Sequence, residues 1–114
     1  MDIEIQTQHI EMRPEWRALI DARLARLAER TPDLLRVHVT LRHGQHHRSG
    51  VEEVAIVATC AGATLRADKH EERMQDAIHA ALDVLERQLA ERHEQRRHAD
   101  KGRPSGAGGE RQST

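Results

Sequence analysis

Aromatic side chains are almost absent from this 114-residue chain: Phe and Tyr do not occur, and Trp16 is the single Trp. A core without them must be filled by aliphatic groups, and no platform exists on which unpaired nucleic-acid bases would stack. Cys60 stands alone, which excludes an intramolecular disulfide and any C-x-x-C site. Lysine is scarce as well, Lys69 and Lys101 being the two among 18 basic residues, so basic chemistry here is arginine chemistry, suited to bidentate contacts with carboxylate or phosphate. No stretch approaches the ~20 apolar residues of a membrane span, and "MDIEIQTQHI" has neither a basic n-region nor an apolar run. These absences predict a cytoplasmic protein with no membrane partner.

What is present is periodicity. "DIEIQTQH" alternates, with Ile3, Ile5 and Thr7 on one face, as a half-buried strand does. Over residues 14–30, Trp16, Leu19, Ile20, Leu24 and Leu27 fall at helical spacing, with Pro14 in the first turn and "TPD" at 31–33 as the stop. "LLRVHVTLRHG" returns to period two, with Leu35, Val37, Val39 and Leu41 facing one way and Arg36, His38, Thr40 and Arg42 the other. "HGQHHRSG" reads as a hairpin loop, and "VEEVAIVATCAG" as a more buried strand with Val54, Ile56 and Ala58 inward. After a turn at 61–63, "TLRAD" alternates Leu65 and Ala67 with Arg66 and Asp68. A last helix is predicted over residues 71–98 on the stripe of Met74, Ala77, Ile78, Ala81, Leu82, Leu85 and Leu89.

Residues 1–98 therefore form one domain, and residues 99–114, with Gly, Pro and Ser but no large apolar side chain, read as a disordered polar tail. Two helices and several strands, each with one apolar face, are best satisfied by an α+β two-layer sandwich, β-α-β-β-β-α, with both helices on one face of a four-stranded sheet. Arg36, His38, Arg42 and Arg66 then lie on the open face.

The segment "LERQLAERHEQRRH" poses the main question. At about 100° per residue the stripe through Leu85 and Leu89 continues onto Arg92, His93 and Arg96. On the first helix, Arg23, Arg26 and Arg30 lie within a ~60° sector beside the buried stripe. Helices packed side by side in parallel would join these ridges into one positive strip, able to hold phosphate by charge-assisted contacts. Ordinary solvation is the competing reading, since arginines snorkel beside cores and pair along a helix, as the three-residue spacing of Arg26 and Glu29 allows. Arg92 has no acid three or four residues away; Gln88, Leu89, Gln95 and Arg96 occupy those positions. An external anion is therefore expected to neutralise Arg92 and Arg96.

Other chemistry is poorly provided for. His43, His46 and His47 sit in a loop without a cysteine or a carboxylate pair, an incomplete ligand set, so no metal site is expected. Glu52 and Glu53 are adjacent in a strand and face opposite sides, which is wrong for paired acid-base work. Cys60 packs in the sheet, Ser49 lacks an elbow motif, and no Gly-rich phosphate loop exists. The chain reads as a non-enzyme without cofactor or small-molecule substrate. Near-neutral charge, −1 overall, and the acidic Glu52, Glu53, Glu71 and Glu72 keep an alternative open: a protein-interaction module of the same fold regulating a stress or transcription factor.

The element order, "ARLARL" at 22–27, "VHVTL" at 37–41, "M-x-x-A-I" at 74–78 and "LERQL" at 85–89 together resemble the short ribosome hibernation-promoting factors, also called ribosome-associated translation inhibitors. The resemblance covers roughly residues 1–98. It implies a dsRBD-like domain that binds the small ribosomal subunit and its rRNA, and occludes the mRNA path and the A and P tRNA sites of idle ribosomes in stress or stationary phase. It also implies a monomer off the ribosome. Carried over by position, Arg23, Arg26, Arg87 and Arg92 or Arg96 become the expected RNA contacts, with Arg30 next; Arg87 rests on the resemblance alone.

Overall fold

The computed structural model describes residues 1–44 and 51–102. The elements run β1 (Asp2–Gln8), α1 (Pro14–Arg30), β2 (Leu34–His43), β3 (Glu52–Cys60), β4 (Ala63–Glu71) and α2 (Met74–Gly102). They build one sheet in the order β1-β2-β3-β4, with β1 parallel to β2 and the other two pairings antiparallel. A parallel pair needs a crossover connection, and α1 supplies it. The α+β sandwich expected from periodicity is therefore the observed fold.

Each element follows from its sequence. In α1, Pro14 occupies the first turn, where its missing N–H is not needed, and the helix ends at Arg30 with the Thr31 N–H donating to the Ala28 carbonyl at 3.3 Å. Trp16, Ile20, Leu24 and Leu27 are buried, with Leu19 half-buried. In α2 the whole stripe from Met74 to Leu89 is buried against β3 and β4. Ala77, Ala81, Ala58 and Ala67 are buried among larger side chains such as Ile56, Ile78, Leu82 and Leu85, so small and large groups interleave between the helix layer and the sheet. No polar or charged side chain is buried among the described residues.

One register and three element boundaries differ from expectation. In β2, Leu34 is buried and Leu35 is 53% exposed, the reverse of strict alternation. The cause is a bulge: Leu34 pairs with Cys60 and Arg36 with Thr59, leaving Leu35 as an extra residue. Strand β4 continues past Asp68 to Glu71, held by the pairings Val54↔Lys69, Glu53↔His70 and Glu52↔Glu71. Helix α2 therefore starts at Met74 rather than residue 71, and its backbone stays helical to Gly102, four residues into the segment read as tail. The remainder of that segment, 103–114, lies outside the described residues, as does 45–50 of the hairpin loop, including His46, His47 and Ser49.

The β3–β4 connection is a turn over Ala61 and Gly62. Gly62 has φ +85, and a Cβ there would meet nothing within 4 Å, so glycine is required for backbone conformation rather than for space. On the open face, Arg42, Glu53 and His70 stand in one cross-strand row; Arg42 pairs with Glu53, and His70 Nδ1 lies 3.1 Å from Glu53. On the helix side His43 Nδ1 lies 2.6 Å from Glu52. Glu52 and Glu53 thus point to opposite faces, as the strand period requires.

The bulge yields a direct test. Leu34→Ala should cost about 2–5 kcal/mol in urea unfolding, whereas Leu35→Ala should stay within about 0.5 kcal/mol, because only Leu34 is packed.

Candidate nucleic-acid interface

The two helices lie side by side in parallel: Arg23 reaches His79 and Asp83, and farther along α1 Arg30 reaches Glu86. Between their C-terminal halves runs an open groove of about 530 Å³. Leu27, Leu89 and Ala90 line it together with Arg30, Thr31, Asp83, Glu86, Arg87 and His93. Of the two ridges inferred from helical spacing, Arg30 and His93 line this groove, whereas Arg92 and Arg96 turn toward Asp33 and Ala61 at the end of the sheet, so the ridges do not join into one strip.

The six candidate arginines divide into three kinds. Arg23 spans the seam between the helices and is 12% exposed. Its Nη2 donates to Asp83 Oδ1 at 2.8 Å and Glu86 Oε2 at 2.9 Å, and its Nη1 to His79 Nδ1 at 3.3 Å and the His79 carbonyl at 3.4 Å. Burial works against its charge, yet the hydrogen bonds to Glu86 and Asp83 outweigh that and raise its pKa.

Arg92 and Arg96 form the second kind. Arg92 Nη1 donates to Asp33 Oδ2 at 2.7 Å, Arg96 Nη1 to the same oxygen at 2.9 Å, and Arg92 Nη2 to the Ala61 carbonyl at 2.7 Å. The Ala61 N–H in turn donates to the Asp33 carbonyl at 3.0 Å, closing a cycle through the α1–β2 loop, the β3–β4 turn and α2. This corrects the expectation that the pair awaits an external anion. The neutralising acid is Asp33, which helical spacing within α2 does not reach. One carboxylate faces two guanidinium groups, so one positive charge remains, and Arg96 is 60% exposed. The hydrogen bond from Arg92 is the main reason the Asp33 carboxyl sits below its ordinary pKa; burial opposes this, and the charges of Arg92 and Arg96 reinforce it.

Arg26, Arg30 and Arg87 are the third kind. Arg26 and Arg87 are exposed and make no ion pair among the described residues, and Arg30, 67% exposed, is 3.9 Å from Glu86. Arg97 belongs with them, exposed one turn beyond His93 on the groove side of α2. Spacing of four from His93 was the available signal for it. Cys60 is buried beneath the cycle, its thiol pushed up chiefly by burial, which suits a packing role rather than a nucleophile. No cluster of three or more metal-ligating side chains occurs among the described residues.

A comparison of this chain with protein families settles its relationship: residues 3–97 match the model described as sigma 54 modulation protein / S30EA ribosomal protein. The chain belongs to that family. The S30EA assignment agrees with the resemblance carried by the helix and strand motifs. No individually curated protein matches the chain. Among solved structures, a ribosomal subunit interface protein from Coxiella burnetii superposes with a TM-score of 0.68 at 18% identity, covering 82% of this chain and 98% of that one. The N-terminal domain of Protein Y from Thermus thermophilus gives 0.66 at 24% identity, covering 78% and 96%. At these identities the two neighbours establish the S30EA-type fold. In this S30EA-family chain, the acids that favoured an alternative as a protein-interaction module are partly engaged within the sheet, Glu52 with His43 and Glu53 with Arg42 and His70.

The Asp33 cycle has a pH signature. A carboxyl whose folded pKa is depressed adds stability above its unfolded value, about 3.9, and loses it as pH falls through the lower folded value. Asp33→Asn should therefore lower unfolding free energy by about 1–2 kcal/mol at pH 7. The deficit should shrink toward pH 3 in urea titrations at both pH values, and a constant deficit would contradict the ionic origin.

Proposed function

We propose that this chain is a non-enzymatic translation inhibitor that binds the small ribosomal subunit through its helix layer and holds the rRNA sugar-phosphate chain along the groove between α1 and α2. Bound there, it blocks the mRNA path and the A and P tRNA sites of idle ribosomes by steric occlusion, as a stress and stationary-phase factor. It acts in the cytoplasm, as a monomer off the ribosome. No helix among the described residues is long and apolar enough to cross a membrane.

The observation that carries this reading is that Arg30 and Arg87, both exposed, line the groove between two parallel helices in a member of the S30EA family, with exposed Arg26 and Arg97 placed beside them by helical spacing. Arginine on a rim offers planar, bidentate donors to phosphate, and the lack of aromatic side chains leaves backbone and shape as what is read. Arg96 adds its remaining donors at the far end. Arg23, by contrast, has four of its five N–H donors committed inside the fold, and Arg92 has both Nη groups anchored, on Asp33 and the Ala61 carbonyl, so charge reversal at either disturbs the fold as well as any RNA contact.

The test is co-sedimentation with purified small subunits across a salt series. The unaltered chain should pellet with subunits at low salt, with affinity falling roughly tenfold or more over a few-fold rise in salt. Arg26→Glu with Arg87→Glu should weaken binding by at least about tenfold while leaving the thermal unfolding midpoint within a few degrees. A chain that stays in the supernatant at low salt, or binds with no salt response, would overturn the proposal.

A further inference from the structure

The position of Arg23 between the helices assigns it a role different from that of its neighbours on the rim. Arg23 offers five N–H donors. Its Nη1 and Nη2 face four acceptors: Asp83 Oδ1, Glu86 Oε2, His79 Nδ1 and the His79 carbonyl. The Nε–H is what remains, on a side chain that is 12% exposed. A phosphate arriving in the groove therefore finds little of Arg23 to bind. It does find the two carboxylates, since Asp83 is 66% and Glu86 34% exposed and both line the groove wall.

Two carboxylates beside a phosphate path repel RNA unless a cation is placed between them. Arg23 is that cation, within 3 Å of both. Glu86 also stands 3.9 Å from Arg30, so its charge bears directly on a rim arginine. We propose that Arg23 promotes RNA binding without touching RNA: it neutralises Asp83 and Glu86, keeping the groove wall from repelling the phosphate chain and leaving Arg30 free to bind it. Arg23 is then a positioning residue for the interface. This inference rests on the groove being an RNA site, the reading given above.

Measuring small-subunit binding against salt separates an indirect role from direct contact. R23Q should weaken binding several-fold, because two carboxylates then lack their counter-ion. The deciding variant is R23Q combined with E86Q, which keeps the net charge of the unaltered chain and leaves one carboxylate fewer at the seam. Its affinity should return to within about twofold of the unaltered chain, with the same slope of log affinity against log salt. If Arg23 instead contacts phosphate, the double variant stays weak and its slope is shallower by roughly 0.7–0.9 for the lost contact. A circular-dichroism melt of the double variant checks that it is folded. A lowered slope in a folded double variant would overturn the proposal while leaving the RNA site standing. No binding by the unaltered chain would remove the RNA site and this role for Arg23 together.

Discussion

A core that, among the described residues, holds no polar or charged side chain governs the rest of the molecule. One face of a four-stranded sheet carries Val, Ile, Leu and Ala, two helices cover it with stripes of the same kind, and one Trp supplies the whole aromatic volume. With 32% of residues charged, the ions have to meet where layers join: along the helix-helix seam, at the end of the sheet, and across its open face. Desolvating an unpaired guanidinium is costly, so each arginine drawn toward a seam must meet an acid or a carbonyl there. Arg23 and Arg92 are the two drawn farthest in, and each meets both an acid and a carbonyl there.

The same constraint explains why the apolar stripe of α2 gives way to arginine. From Met74 to Arg92 the helix advances about 27 Å at about 1.5 Å per residue. A nine-residue strand such as β4 spans about 30 Å. At Arg92 the helix has therefore reached the β3–β4 turn, where the sheet ends and there is nothing apolar left to cover. The next side chains on the stripe meet the Ala61 carbonyl and the Asp33 carboxylate instead. The arginines thus tie down the rim of the fold, with Arg96 left partly open to solvent.

Much of this was legible from period alone. Alternation located β1, β2 and β3, helical spacing gave α1 to the residue, and every member of the α2 stripe is buried. The Leu35 bulge was not legible, because "LL" satisfies either register and the choice is made by Cys60 across the pair. The full length of β4 was hidden too: past Ala67 every residue to Glu71 is exposed, so no alternation marks the strand, and pairing with β3 sustains it. At the candidate site, spacing correctly put Arg23 and Arg30 at the seam. It missed Asp33 as the partner of Arg92 because that pair is separated by 59 residues, and neighbour rules along a helix see three or four.

Net charge close to zero is a weak guide to this surface for a related reason. Asp33, Asp83, Glu52, Glu53 and Glu86 are counted in the −1 total, yet each is paired with a cation or a histidine inside the fold. Arg26, Arg87 and Arg97 are exposed without an ion pair among the described residues, and Arg30 is only loosely held. The field that an approaching polyanion meets at the groove rim is set by the exposed groups within a Debye length of about 10 Å, these arginines together with exposed Glu29, Glu91 and Glu94 on the same helices, not by the sum over the chain. A few arginines left unpaired on one rim can therefore make a phosphate-binding edge on a protein that is neutral as a whole.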